Sequence, residues 1–125
     1  MRLKWKRQWG GSDRVVWINV RKLNVAWSRD GEDYLPPGDA ANHHFGQWLR
    51  QYGAKEKADM PHVGLWDQVM SFTDGRHRFA WCRDNGVRHL PVTVESRKQS
   101  ALFQRLFGTT ARVCEVPRGA FRQRV

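Results

Sequence analysis

The sequence predicts a single α/β domain in which helices pack on a small mixed sheet. The chain has 125 residues, which is the length of one domain. Segments rich in β-branched and aromatic residues alternate along it with segments whose apolar residues recur at helical spacing. Hydrophobic residues make up 40% of the chain and seven residues are Trp, a composition that excludes a disordered protein.

The strands are predicted from β-branched and aromatic runs. Residues 15–20 form such a run after a glycine-rich turn, and residues 69–73 and 90–94 have a similar composition. Pro91 has no backbone N–H, so we expect the last of these strands to lie at a sheet edge, or Pro91 to stand at its start. Four other segments have weaker signals. Residues 28–41 are predicted as a loop and residues 54–59 as a polar linker. Residues 62–65 form a short apolar segment, and residues 111–116 are predicted as a last short strand.

Three helices are predicted from apolar spacing and end signals. The apolar side chains of residues 45–52 fall on one helical face, and Gly53 ends that segment. Residues 76–84 form a second helix, which an Asn-Gly pair terminates. Ser96 can cap a third helix, which ends at Gly108.

The net charge of +10 indicates a polyanionic partner, either nucleic acid, a nucleotide or an anionic surface. Basic residues concentrate at both ends of the chain, so we divide it into a basic N-terminal arm, residues 1–14, a domain over residues 15–116 and a basic C-terminal tail, residues 117–125. The alternative is that these ends are merely solvated. The side chains predicted to contact nucleic acid are Lys4, Lys6, Arg7, Arg118 and Arg122.

The cysteines and the apolar content indicate a cytoplasmic protein. Cys82 and Cys114 are too few for a disulfide framework or a zinc site, so a reduced compartment is expected. Cys82 shares a helix face with Phe79, and we expect both in the core, with an unreactive thiol. The basic start is not followed by the apolar segment of a secretory signal. No run of 18 apolar residues occurs, so no membrane span is expected.

The most informative segment is the strand, turn and helix over residues 69–84. Gly75 permits a sharp turn after the strand, and the first N–H groups of the helix have no partner within it. Together with the helix dipole they form an anion site. Arg76, His77 and Arg78 occupy that first turn, where cations are unfavourable for the helix itself. A phosphate bound among them explains this conflict.

Several roles stay open for the side chains of this turn. Asp74 either caps the helix, holds a divalent cation beside the phosphate or orients His77. His77 is an ordinary surface residue, a donor to phosphate or a general acid or base. Arg83, two turns further on, reaches either the same region or solvent. His43 and His44 in the preceding loop either line the same cleft or are loop surface.

This segment resembles the ParB/sulfiredoxin superfamily, whose shared pattern is a strand, Gly-x-His-Arg or Gly-x-Arg-Arg, a helix and a Pro-containing strand. Here the pattern stands as Asp-Gly-Arg-His-Arg at residues 74–78, Asn-Gly at residues 85–86 and Leu-Pro-Val-Thr-Val at residues 90–94. Residues 16–23 look like the family's first strand, so that the resemblance covers residues 15–107. It implies a ParB/sulfiredoxin-like fold.

Within that superfamily the chain is most similar to the plasmid fertility inhibition proteins. It shares with them Phe-x-Asp-Gly-Arg-His-Arg-Phe-Ala at residues 72–80 and Trp-x-x-Asp at residues 27–30. This resemblance implies a protein that blocks conjugative transfer of a co-resident plasmid, acting at the type IV coupling machinery or on the transferred DNA. It also implies an association with nucleotide hydrolysis and nuclease activity. The site residues that carry over are Asp74, Gly75, Arg76, His77 and Arg78.

Two departures narrow the resemblance. Sulfiredoxins carry a catalytic Cys directly before the His of this motif, where this chain has Arg76, so sulfinic acid repair is not expected. The chain after Val94 is too short for the helix-turn-helix and dimerisation regions of chromosome-partition ParB proteins, so that function is not expected either.

Three functions remain open. The first is a nuclease or NTPase that uses ATP or another nucleotide, with His77 as acid or base, Arg76 and Arg78 on the phosphate and Asp74 on Mg²⁺. The second is a nucleotide- or DNA-binding module without turnover. The third is an inhibitor that docks on a protein partner or DNA through its basic ends.

Overall fold

The computed structural model describes residues 1–40, 43–53 and 55–119. Both strands and helices occur throughout these ranges, which confirms the predicted α/β class. In chain order they are β1 (Trp5–Lys6), β2 (Arg14–Asn19), α1 (Val20–Asp30), α2 (Phe45–Tyr52), β3 (Ala58–Asp59), β4 (His62–Trp66), β5 (Val69–Asp74), α3 (Arg76–Asp84), β6 (His89–Val94) and α4 (Arg97–Phe107).

The central sheet has the spatial order β2, β6, β4, β5. β2 pairs antiparallel with β6, and β4 pairs antiparallel with β5, while β6 and β4 run parallel. The sheet is therefore small and mixed, as the sequence predicts. A separate two-stranded parallel sheet joins β1 to β3, so residues 58–59 of the predicted linker are part of a strand pair.

Helix α1 was not predicted, and the predicted loop over residues 28–41 is wrong for its first three residues. The Asn19 side chain caps the helix by accepting a hydrogen bond from the Lys22 N–H at 3.0 Å. The buried face consists of Val20, Leu23, Ala26 and Trp27. The last turn is polar because it faces solvent, and that composition made it read as part of the loop.

Pro91 stands inside the sheet, so the prediction of an edge strand is wrong. β6 lies between β2 and β4, and Pro91 is its third residue. The parallel pairing with β4 begins at Thr93, whose N–H donates to the Pro61 carbonyl at 2.9 Å. Backbone groups two residues apart point the same way along a strand. The ring nitrogen of Pro91 therefore faces a position before β4 begins, and a central strand accommodates it.

The first residues of the chain bond to residues 114–116. The Met1 ammonium donates to the Val116 carbonyl at 2.8 Å, and the Leu3 N–H donates to the Cys114 carbonyl at 2.8 Å. Residues 111–116 form a single bridge, between Arg2 and Glu115, rather than the predicted strand. Their pairing with the N-terminus is too short to make a ladder.

The core lies between the sheet and the helices. Its largest buried side chains include Trp27, Trp81, Phe79 and Phe103. Phe79 and Cys82 are fully buried, as predicted. Burial raises the pKa of the Cys82 thiol well above its ordinary value, which keeps the thiol protonated and agrees with the predicted lack of reactivity. Within the described ranges, no helix is both long and apolar enough to cross a membrane.

Candidate functional site

The turn between β5 and α3 has the geometry that the motif predicts. Gly75 has φ of 86°, a left-handed conformation that favours glycine. A Cβ at this position would meet the Pro61 Cα at 2.8 Å and Nη2 of Arg78 at 2.9 Å. The first helical bond runs from the Phe79 N–H to the Gly75 carbonyl at 2.9 Å. The N–H groups of residues 76–78 precede it and have no partner within the helix.

The two arginines of this turn are oriented by backbone carbonyls from other segments. Arg78 donates through Nε to the Asp59 carbonyl at 3.0 Å, and its Nη2 lies 3.2 Å from the Asp74 carboxylate. Arg76 donates to the Asp33 carbonyl at 3.1 Å. Asp74 is therefore an ion-pair partner of Arg78. It is not the helix cap, because Gly75 holds the N-cap position without a side-chain bond.

A cavity of about 370 Å³ opens at this turn. Its lining includes every residue of the predicted motif, and the structure places His43 and His44 beside them. The lining residues are Asp33, His43, His44, Phe72, Thr73, Asp74, Gly75, Arg76, His77 and Arg78. The two carboxylates offset the formal charges of the two arginines. The N–H groups at the start of α3 and the histidines therefore supply donors for an anion in addition to the two arginines.

Three histidine rings meet at this cavity. The rings of His43 and His77 stack with centroids 4.9 Å apart, and those of His43 and His44 lie 3.9 Å apart. Desolvation, followed by the charges of His44, His77 and Arg78, lowers the pKa of His43 from 6.5 to about 4. Desolvation, Arg76 and His44 also lower the pKa of His77. Both rings are therefore neutral at pH 7, and His77 is suited to act as a base.

We expect the free energy of unfolding to fall as the pH is lowered from 6.5 toward 4. Because the pKa of His43 is about 4 in the folded protein and 6.5 ordinarily, folding favours its neutral form. That contribution is complete above pH 6.5 and is lost as the pH falls through the folded pKa. Protonation also removes the Nδ1 acceptor of the Phe45 N–H, a bond of 3.2 Å.

Urea unfolding of the wild type and of His43→Gln at pH 7.5 and pH 4.5 measures this effect. The variant should lose less stability between the two conditions than the wild type does. An equal loss in both proteins would contradict the assignment to His43.

The predicted nucleic-acid contacts are spread over the surface rather than collected at this cavity. Lys6 lines a neighbouring cavity and lies 3.9 Å from the Asp59 carboxylate. Arg7 donates to the Asp13 carbonyl at 3.1 Å. Lys4 and Arg118 are exposed on the surface of the domain. Arg122 lies outside the described residues, as does the rest of the tail beyond residue 119.

A larger cavity lies elsewhere and contains no predicted site residue. It measures about 1170 Å³ and is lined mainly by residues of α1 and α4. Its size alone does not indicate a function. The smaller cavity at α3 brings together side chains from three separate segments around the helix start, so we take it as the candidate site.

A basic first turn does not by itself distinguish α3. Helices α1, α3 and α4 all lack acidic residues in the first turn, and α4 begins with Arg97 and Lys98. What distinguishes α3 is the cavity at its start and the histidines that another segment brings to it. Among the residues that the structure describes, no three His, Cys, Asp or Glu side chains converge to hold a metal ion. Any divalent cation at Asp74 would therefore need ligands from the phosphate itself.

Arg83 reaches neither the cavity nor solvent, contrary to both expectations for it. Its guanidinium donates to the Leu35 and Pro36 carbonyls and to the Asn24 side chain, at 2.5, 3.0 and 3.0 Å. It also pairs with its neighbour Asp84. Arg83 therefore holds the loop at residues 35–36, which precedes His43 and His44, against α3. The sequence contains no local sign of this role, because its partners are backbone atoms of a distant loop.

Comparison with known proteins supports the predicted family. A sequence profile described as Plasmid Fertility inhibition factor matches residues 47–108. No curated protein matches the chain. One similar solved structure is the crystal structure of an Oncogenic Suppression Activity Protein, a plasmid fertility inhibition factor, as its gold(I) cyanide derivative. The TM-score is 0.67 at 19% identity, over 94% of this chain and 68% of that chain, which shows a shared fold. The profile match and the shared fold together bear out the predicted resemblance to the plasmid fertility inhibition factors.

Proposed function

We propose that the chain binds the phosphate groups of a nucleotide or of DNA in the cavity at residues 74–78, and that it thereby interferes with conjugative DNA transfer. The observation that carries the proposal is the convergence at the start of α3. There the unpaired helix N–H groups, two arginines and the His43-His44 pair border one cavity of about 370 Å³. The second part of the proposal follows from the family relationship.

The arginines are prepared for a phosphate by the bonds they already make. Arg76 and Arg78 each use one edge of the guanidinium on a backbone carbonyl, so the head groups are held in place at the cavity wall. A guanidinium that is already ordered loses less entropy when it binds a phosphate. Asp74 shares Arg78 with the ligand, which limits affinity and favours a phosphate that brings Mg²⁺ with it.

Titration calorimetry with ATP, CTP and short single-stranded DNA, each with and without Mg²⁺, tests the phosphate site. The wild type should bind at least one of these ligands. Arg78→Ala should weaken that binding by tenfold or more, because a hydrogen bond to a charged group contributes about 1.5–3 kcal/mol. Arg97→Ala is the matched control, since it removes an exposed cation from the first turn of another helix, and it should bind like the wild type.

Because Arg78 also bonds to the Asp59 carbonyl, its variant needs a folding check by thermal melting. Arg76→Gln removes a second guanidinium from the same cavity and should weaken binding too. The proposal fails if none of the ligands binds to the wild type, or if both arginine variants bind as the wild type does.

Weak hydrolysis of the bound phosphate is a second candidate function, which the neutral His77 ring in the cavity favours. A general base must be deprotonated at the working pH, and the lowered pKa of His77 meets that condition. Turnover that His77→Ala abolishes would support an enzyme. Binding without turnover in the wild type would support a module that only binds.

The alternative function, in which the basic ends of the chain bind the partner, also has a direct test. Removal of residues 1–9 would delete β1 and the buried Leu3, so truncation would damage the fold. Replacement of Lys4 and Arg7 by Gln removes the charge and keeps the arm. If this double variant loses inhibition of plasmid transfer in a mating assay while Arg78→Ala retains it, the ends are the functional surface.

A further inference from the structure

A second cavity adjoins the one at the start of α3. It measures about 500 Å³, and His43, His44 and Arg78 line both cavities. A ligand held at Arg78 can therefore extend from one into the other. Residues of α2 line the second cavity, and Arg76 lines only the first.

The wall of the second cavity is aromatic and rigidly supported. Trp48 and Tyr52 stand one turn apart on α2, with ring centroids 6.0 Å apart. The Phe45 ring lies nearly parallel to that of Trp48, at 9° and 5.9 Å, and is itself packed edge-on against the buried Trp81. Tyr52 is 40% exposed. Flat rings that the core holds in place beside open space are what stacking of a planar ligand requires.

The polar side chains of the second cavity can bond to the edge of a nucleobase. Glu56 and Asp59 line it together with Lys6 and Lys57, and Lys6 pairs with Asp59 at 3.9 Å. Carboxylates accept hydrogen bonds from the amino groups of a nucleobase, and ammonium groups donate to its ring nitrogens and carbonyl oxygens. The start of α3, with its helix N–H groups, lies in the first cavity.

We propose that the aromatic cavity over α2 is a nucleobase subsite in which Trp48 and Tyr52 stack on an unpaired base whose phosphate lies at Arg78. The proposal rests on the phosphate site proposed above. The ligand is a nucleobase joined to a phosphate, either as a free nucleotide or as a unit of single-stranded nucleic acid. A base within a duplex is already stacked and paired, so double-stranded DNA does not fit.

The experiment measures the affinities of three ligands for four proteins. The ligands are inorganic tripolyphosphate, ATP and a short oligothymidylate. The proteins are the wild type, Trp48→Ala, Tyr52→Ala and the control Trp66→Ala, which replaces a Trp that is 41% exposed and lines neither cavity. Trp48→Ala should weaken ATP or the oligonucleotide about 5- to 150-fold, the range for loss of one base stack, and leave tripolyphosphate unchanged. Trp66→Ala should bind all three like the wild type.

The outcomes separate this inference from the phosphate site. If tripolyphosphate does not bind to the wild type, the phosphate site itself fails. If it binds and the base-bearing ligands bind Trp48→Ala and Tyr52→Ala as tightly as the wild type, the base subsite is overturned and the phosphate site stands. If Trp48→Ala weakens the binding of all three ligands, the result for Tyr52→Ala decides whether the base subsite exists. A loss confined to the base-bearing ligands supports the subsite, and any other pattern overturns it. Whichever of ATP and the oligonucleotide binds more tightly to the wild type shows whether the base belongs to a free nucleotide or to single-stranded nucleic acid.

Discussion

Replacement of Trp27 by Ala is expected to lower the free energy of unfolding by about 3–5 kcal/mol, the usual cost of removing a buried Trp. The side chain is fully buried. Its ring lies 4.8 Å from that of Tyr34, 4.7 Å from that of Phe72 and 5.8 Å from that of Phe79. Its Nε1 donates to the Asp33 carboxylate at 3.0 Å. One residue therefore joins α1, the following loop, β5 and α3.

Chemical denaturation at pH 7.5 measures this loss. Val25→Ala is the control on the same helix, because Val25 is 55% exposed, and it should change stability by less than about 0.5 kcal/mol. Trp27→Phe keeps an aromatic ring and lacks the donor to Asp33. Its free energy of unfolding should therefore lie between those of Trp27→Ala and Val25→Ala. If Trp27→Ala is no less stable than Val25→Ala, the core described here is wrong.

Replacement of Arg83 by Met is expected to cost about 3–5 kcal/mol, because it breaks a buried ion pair and leaves its partner without compensation. The side chains of Arg83 and Asp84 are only 8% and 4% exposed. The Met side chain fills part of the volume but donates no hydrogen bond to the Leu35 and Pro36 carbonyls. Asp84 also accepts from the Ala40 N–H at 3.3 Å, so the variant loop keeps that bond and loses those at Leu35 and Pro36.

The chain contains a matched control for this pair. Arg29 and Asp30 are also sequence neighbours with Nε to Oδ1 at 2.9 Å, but the Arg29 side chain is 69% exposed. Arg29→Met should unfold at nearly the same denaturant concentration as the wild type, since exposed pairs contribute little. Arg83→Met should also weaken phosphate binding, because the loop that it releases carries the Asp33 carbonyl that holds Arg76. Equal midpoints for the two variants would contradict the assigned role of Arg83.

Elements with local signals were predicted correctly. Ser96 does cap α4 by accepting from the Gln99 N–H at 3.2 Å, and Gly86 does adopt a positive φ, of 83°, after α3. Gly75 makes the turn that its position implied. Each of these features depends on a few adjacent residues, so the sequence determines them before any tertiary contact forms.

Elements whose form depends on distant partners were missed. Helix α1 is stabilised by the packing of Trp27 against β5 and α3, which are distant in the chain. The place of β6 between β2 and β4 depends on pairings far apart in the chain, so Pro91 alone could not reveal it. The Arg83 side chain points inward because the loop over residues 31–40 presents the Leu35 and Pro36 carbonyls to it.

The sequence by itself determined the α/β class, the resemblance to the plasmid fertility inhibition proteins and the Asp-Gly-Arg-His-Arg turn at residues 74–78. Only the tertiary structure decided what surrounds that turn. It brought His43 and His44 to the same cavity, placed carbonyls of Asp33 and Asp59 on the arginines, and set the aromatic face of α2 beside them. A turn is specified by the residues within it, whereas a cavity is formed by segments that meet only when the core has packed.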